Sequence, residues 1–265
     1  MKEKMHLEML LKMLGLKTFL KNYETFADKA QKQKLGYCEY LYQLVQMESD
    51  EKQNRKVGRL LKNSKLPDGK TLDSFDIAGQ PGISASRLRE LSSGDCLDHC
   101  ESILVFGVPG TGKSHLSAAL GREWCLRGRK VLYTTASALV QDLLAAKRDL
   151  KLNELIDKLD GFEALIIDDI SYVPQTRDET DVLFVLLAKR YETRSVVITS
   201  NLVFSEWENI FKDKMTTKAA VDRLVHHGTI LELVEIEGES YRERVAKAKA
   251  KQRKQAPVKK VAAAR

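Results

Sequence analysis

The run Gly107-Val-Pro-Gly-Thr-Gly-Lys113-Ser114 constrains this chain more than any other feature. It is a complete G-x-x-x-x-G-K-S, set between an apolar run, Ile103-Leu-Val-Phe106, and a helical segment, Ser114 to Leu126. A strand that breaks into glycines and re-enters as a helix aims several backbone N–H groups and a helix N-terminus at one point, a geometry that holds phosphate. The glycines let the backbone pass close to the oxygens. Gly107, Val108, Pro109, Gly110, Thr111 and Gly112 are therefore expected to line a nucleotide, with His115 following on the helix. Lys113 is expected to reach the β- and γ-phosphates and Ser114 to ligate Mg²⁺.

Such a site needs a carboxylate where another buried strand ends. Leu165-Ile-Ile-Asp168-Asp169 supplies one. Asp168 is expected to coordinate the metal through water, and Asp169 to polarise the attacking water. A third apolar run, Val196-Val-Ile-Thr199, ends in Ser200-Asn201, where a polar side chain can sense the γ-phosphate or orient that water.

From about residue 83, short β-rich runs alternate with helical ones, which predicts an α/β fold with a parallel sheet covered by helices on both faces. Strands are expected at 103–106, 131–135, 164–170, 196–200 and 230–234. Helices are expected at 114–126, 138–150, 152–159, 179–192 and 218–225. Upstream, Leu7, Leu10, Leu11 and Leu14 follow helical spacing, as do Phe19, Leu20, Tyr23 and Phe26 and then Tyr37, Tyr40, Leu41, Leu44 and Val45. Leu66-Pro-Asp-Gly69 ends that pattern, and Gly79-Gln-Pro-Gly82 closes an irregular stretch. The expected organisation is a small helical domain (1–66), a linker (67–82), a nucleotide-binding domain (83–241) and a basic tail (242–265).

Charge is distributed unevenly. Residues 1–70 hold 15 basic and 9 acidic side chains, residues 71–241 hold 19 and 27, and residues 242–265 hold 10 and 1. An acidic body between basic flanks suits a polyanion held at the edges, and a tail of net +9 can neutralise phosphates and release counterions. Nucleic acid is the expected partner. No apolar run approaches the roughly 18 residues of a membrane span, and the first fourteen residues lack the apolar region of a secretory signal. Four cysteines in 265 residues do not make a disulfide scaffold, so a reduced, cytoplasmic setting is expected. No second ligand pair at finger spacing accompanies His226-His227 or Cys96-Leu-Asp-His99-Cys100, so neither is expected to hold zinc.

Together the three strand ends resemble the AAA+ ATPases, in which the strand bearing the sensor Asn lies between the loop strand and the metal-binding strand. That geometry would set Asn201 beside Asp169. An arginine from a neighbouring subunit often completes such a site. Arg223, in Asp222-Arg-Leu224, is the best placed, with Arg190 and Arg194 as alternatives.

Several further stretches resemble the IstB family, transposition helper ATPases of bacterial insertion sequences. They are Lys189-Arg-Tyr-Glu192, Ile198-Thr-Ser-Asn-Leu202 with Phe204 and Trp207, Asp222-Arg-Leu-Val-His-His227, and Gly238-Glu-Ser-Tyr-Arg242. The resemblance implies an ATP-loaded homo-oligomer, spiral or ring-like, that binds and bends duplex DNA and engages a cognate transposase. It also implies a trans role for Arg223 and a second-sensor role for Arg242. One departure concerns Asp168-Asp169, where the family pattern is Asp-Glu. An acid one methylene shorter stands farther from the water, which favours slow hydrolysis and a switch over a motor. A DnaC-type helicase loader shares the core and the Tyr-Arg signature. A metabolic P-loop kinase does not fit, because no acceptor-substrate site is evident.

Overall fold

The computed structural model describes residues 2–77, 80–172, 176–203, 206–207, 214–226 and 228–234. The chain divides into two compact units, Met1–Leu60 and Leu61–Arg265.

The first unit is helical: α1 (Lys2–Met13), α2 (Lys17–Gln33) and most of α3 (Tyr37–Asn63). Leu11 and Leu44 are buried in it. Helix α2 is preceded by Leu16, which offers no side-chain cap. Glu48 of α3 does that work instead: its Oε2 accepts from the Thr18 amide at 2.7 Å and the Phe19 amide at 3.3 Å. A carboxylate on the orphan N–H groups of a helix start is favourable both as an acceptor and against the helix dipole. Burial works to raise the Glu48 pKa, but the Thr18 and Phe19 amides and the Lys52 ammonium outweigh it and hold the carboxyl below its ordinary value.

The second unit carries α4 (Ala85–Ser93), α5 (Asp95–Asp98), β1 (Ser102–Phe106), α6 (Lys113–Leu126), β2 (Val131–Thr135), α7 (Ala136–Arg148), α8 (Leu152–Asp160) and β3 (Ala164–Asp168). A 3₁₀ turn at Ile170–Tyr172 leads to α9 (Arg177–Arg190), β4 (Ser195–Ser200), α10 (Lys214–His226) and β5 (Gly228–Glu232). The strands form one sheet in the order β2-β3-β4-β1-β5, and every pairing is parallel. Strand β4 thus lies between β1 and β3.

The two faces of the sheet follow from alternation along the strands. Leu104, Phe106, Leu165, Ile167, Val196 and Ile198 join one core cluster with Leu139, Leu143, Leu183 and Leu186 of α7 and α9. Ile166 faces the other way, towards α6, where a Cβ on Gly121 would lie 2.6 Å from its Cδ1. Gly121 therefore permits the close approach of α6 to the sheet. Strands buried on both faces read as continuous apolar runs, which is why β1, β3 and β4 are legible as such. The Trp124 indole N–H donates to the Leu91 carbonyl at 2.8 Å and fastens α4 to α6. No described helix is long and apolar enough to cross a membrane.

Candidate nucleotide site

Strand β1 ends at Phe106, and the chain turns through Gly107, Gly110 and Gly112 at φ +148°, +90° and +106° before α6 begins. Gly107 is demanded twice over. Its φ is foreign to L side chains, and a Cβ there would stand 2.3 Å from the Leu233 carbonyl oxygen. That close approach exists because the Leu233 amide donates to the Phe106 carbonyl at 2.8 Å, extending the β1–β5 contact past the strand end. Within the loop, the Lys113 ammonium curls back to the Gly107 and Val108 carbonyls at 2.6 and 2.9 Å. Thr111 Oγ1 donates to the Val108 carbonyl at 3.0 Å.

Gln80 braces the far side of this loop. Its amide meets Val234 as a neighbouring strand would, with Oε1 accepting from the Val234 amide at 3.0 Å and Nε2 donating to the Val234 carbonyl at 3.1 Å. The same Nε2 lies 3.5 Å from the Thr111 carbonyl.

At the end of β3, Asp168 is buried and both its oxygens are engaged. Thr199 Oγ1 donates to Oδ1 at 2.7 Å and the Tyr133 hydroxyl to Oδ2 at 2.6 Å. Burial, then the Asp168 carboxylate, push the Tyr133 phenol far above its ordinary pKa, so it stays a donor. Thr199 Oγ1 also accepts the Asp169 amide at 2.7 Å. This fixes Asp169 at φ +62°, a left-handed conformation in which the strand stops. Asn201 Nδ2 lies 3.4 Å from Asp169 Oδ1, and the Asn201 amide donates to Ser171 Oγ at 2.9 Å.

These parts share a cleft of about 280 Å³, walled by Gly110, Gly112, Lys113, Ser114, Asp169 and Asn201, together with Lys70, Pro109, His115 and Thr199. Asp168 stands behind Asp169, outside the lining. The donor set suits a metal-bound triphosphate: a loop with three glycines at positive φ, an ammonium, a hydroxyl at a helix start, and a carboxylate opposite.

Arg223 lies elsewhere. Its guanidinium sits over the Phe184 ring at 5.0 Å from α10 to α9, and its buried Nη1 has no hydrogen-bond partner among the described residues. Arg190 is neither a solvated helix end nor available to a neighbour. It is fully buried, donating to the Leu159, Phe162 and Ser195 carbonyls at 2.9 Å each, with Asp160 Oδ1 at 3.7 Å. Burial lowers its pKa to about 10. Arg194 is exposed and donates to the Asp160 carbonyl at 3.0 Å. His226 Nδ1 is 3.1 Å from the Tyr191 hydroxyl. Phe204, His227, Arg242 and the basic tail lie outside the described residues. Sequence reasoning missed Lys70, Tyr133 and Thr199 at this site, and each reaches it from a distant part of the chain.

A five-stranded parallel sheet with a glycine loop after β1, acids at the end of β3 and a polar end on β4 has the α/β fold of AAA+ domains. Residues 9–250 match the IstB-like ATP-binding protein family, and the chain belongs to that family. It is 42% identical over 241 residues to an insertion-sequence protein of Sinorhizobium fredii named for ATP binding, covering 91% of this chain and 80% of that one. It is 37% identical over 236 residues to the corresponding protein of insertion sequence IS21 from Pseudomonas aeruginosa, covering 89% and 88%. Among solved structures, AMPPCP-bound DnaA from Aquifex aeolicus superimposes with a TM-score of 0.55 at 19% identity, over 71% of this chain and 56% of DnaA. The DnaC helicase loader gives 0.53 at 15% identity, over 63% and 97%. At such identities the likeness is one of fold.

Proposed function

We propose that this protein is an ATP-dependent, DNA-binding helper of transposition. Loaded with ATP and Mg²⁺, it assembles as a homo-oligomer on duplex DNA, remodels the DNA and recruits or activates the transposase of its insertion sequence. Slow hydrolysis then dissolves the assembly. The observation that carries this reading is the convergence of Lys113, Ser114, Asp169 and Asn201 on one cleft in a chain whose family belongs to insertion sequences.

In this reading Lys113 leaves the Gly107 and Val108 carbonyls for the β- and γ-phosphates. Ser114 and, through water, Asp168 would hold the metal, and Asp169 with Asn201 would position the attacking water. Magnesium, when bound, neutralises charge on the β- and γ-phosphate oxygens. Arg223, absent from the cleft of its own protomer, serves the cleft of a neighbour, and Arg242 is a second contact to the nucleotide. DNA binding is supported by the basic flanks and by a protein of the same fold, DnaA, solved bound to AMPPCP and single-stranded DNA. The loader alternative rests on fold alone, whereas the relatives at 37% and 42% identity are named for insertion sequences.

The test is assembly on duplex DNA with ATP and Mg²⁺, viewed by electron microscopy. Wild-type chain forms oligomers and Lys113→Ala does not. Undiminished oligomers from Lys113→Ala would overturn the proposal. For the trans role, mixing Arg223→Ala with Asp169→Asn restores part of the ATPase rate. A mixture no faster than the sum of its parts removes that assignment.

A further inference from the structure

Residues 67–77 read as a linker in the sequence, yet they are built onto the phosphate loop. Thr71 and Ser74 close a small turn, with their hydroxyls 3.0 Å apart and the Ser74 amide donating to Thr71 Oγ1 at 3.3 Å. His115, on the first turn of α6, brings its Nε2 within 3.0 Å of the Thr71 carbonyl and 3.1 Å of Ser74 Oγ. The Phe75 ring stands edge-on to His115, with centroids 5.7 Å apart. It also lies 3.2 Å from where a Cβ on Gly112 would be. The segment is therefore held on both sides of Lys113-Ser114, by a histidine after them and a glycine before them.

That attachment brings a second ammonium to the cleft. Lys70 is half-buried in the cleft wall with Lys113, Ser114 and Asp169, its Nζ 3.4 Å from the Ser114 carbonyl. We propose that Lys70 is a phosphate ligand, a second cation delivered by the segment ahead of the core to the phosphate chain that Lys113 also contacts. The inference rests on the reading of the cleft as an ATP site. Its physical ground is charge. The side chains lining the cleft set Lys70 and Lys113 against Asp169, with Asp168 behind, and a nucleotide brings several negative charges. Without Lys70 the lining would carry no net positive charge to receive them. The flexible four-carbon stem lets the ammonium turn from the Ser114 carbonyl to a phosphate oxygen, an anionic acceptor in place of a neutral one.

The experiment measures ATP binding to the full chain with Mg²⁺ by calorimetry at several KCl concentrations. It compares wild type, Lys70→Gln, Lys70→Met, Lys70→Arg and Lys113→Ala. Both neutral variants are expected to weaken ATP about tenfold or more and to flatten the salt dependence. Lys70→Arg should stay within about threefold of wild type. Neutral variants within twofold of wild type, while Lys113→Ala has lost ATP, would overturn the role of Lys70 and leave the ATP site standing. Equal losses in the arginine and neutral variants with an unchanged salt dependence would make Lys70 a packing residue, which also overturns it. A wild-type chain that takes up no ATP would bring down the ATP site and this inference together.

Discussion

The Tyr133 hydroxyl donates to Asp168 Oδ2 at 2.6 Å, across the β2–β3 pairing in which Thr135 is the register partner of Asp168. The tyrosine thus reaches along the strand to fix a carboxylate from behind, while Thr199 fixes its other oxygen. Removing the hydroxyl in Tyr133→Phe leaves Asp168 held by Thr199 alone, which loosens a carboxylate that the proposed function assigns to the metal. Outer partners of metal-site ligands are typically worth about tenfold or more in metal affinity. A Mg²⁺ titration of ATP binding should show the midpoint rising by about that factor, and an unmoved midpoint would remove Tyr133 from the site.

Gly107→Ala should damage both stability and nucleotide binding. The new Cβ would meet the Leu233 carbonyl at 2.3 Å in a backbone conformation that alanine avoids. A cost of about 2–3 kcal/mol is expected from strain and overlap. Thermal unfolding should report a fall of about 5–10 °C for a unit of this size, and calorimetry a loss of ATP uptake.

Arg190→Met should be among the most destabilising single changes in the second unit, although it touches no part of the cleft. The carbonyls of Leu159 in the last turn of α8, Phe162 in the connection to β3 and Ser195 at the start of β4 would lose their shared donor. The Leu159 carbonyl keeps the Phe162 amide at 3.1 Å, but the loss of three hydrogen bonds from a buried guanidinium costs about 3–5 kcal/mol. The conservative change Arg190→Lys should not restore the loss, because a single ammonium lacks the planar fork that spans the three carbonyls. Urea unfolding of wild type, Arg190→Met and Arg190→Lys decides the point.

The first unit should be acid-sensitive through Glu48. Its folded pKa lies below the ordinary value, so its stabilising contribution is present above the ordinary glutamate range and is lost as pH falls through the lowered value. Glu48→Gln should cost about 1–2 kcal/mol at neutral pH, as loss of a helix cap does. It should also flatten the decline in helicity on acidification, followed by circular dichroism. An equally steep decline in the variant would assign the acid sensitivity to other carboxylates.

Much of the core is legible in the sequence because its signals are local. The phosphate loop is eight consecutive residues, and each buried strand is an unbroken apolar run. Helices expected at 138–150 and 218–225 run instead over Ala136–Arg148 and Lys214–His226, and at three other boundaries a nearby residue marks the difference. The apolar pattern carries strand β3 on to Ile170, but the strand stops at Asp168, because Asp169 adopts a left-handed conformation that no apolar count reveals. Helix α9 begins at Arg177, not Glu179, because Thr176 and Glu179 form a capping box with the glutamate at the third helical position. Strand β5, read from the sequence as 230–234, begins at Gly228, where a Cβ would stand 2.2 Å from the Leu224 carbonyl.

The supporting residues of the cleft are not legible, since each acts across the chain. Lys70 and Ser114 are 44 residues apart, Tyr133 and Asp168 are 35, and Asp168 and Thr199 are 31. A lysine in a Pro-Gly stretch and a tyrosine in a strand carry no local mark of such a role. Arg190 illustrates the reverse case: a basic residue at a helix end looks solvated in sequence, and the turn of the chain onto β4 closes over it.

Gln80 sets a mechanical condition on the protein. Because one amide grips both the main chain of Val234 and the carbonyl of Thr111, a pull on the backbone at 234 is transmitted to the phosphate loop within a single side chain's length. The exit of β5 and the wall of the cleft are thereby coupled, and cutting that tether in Gln80→Ala would let them move apart.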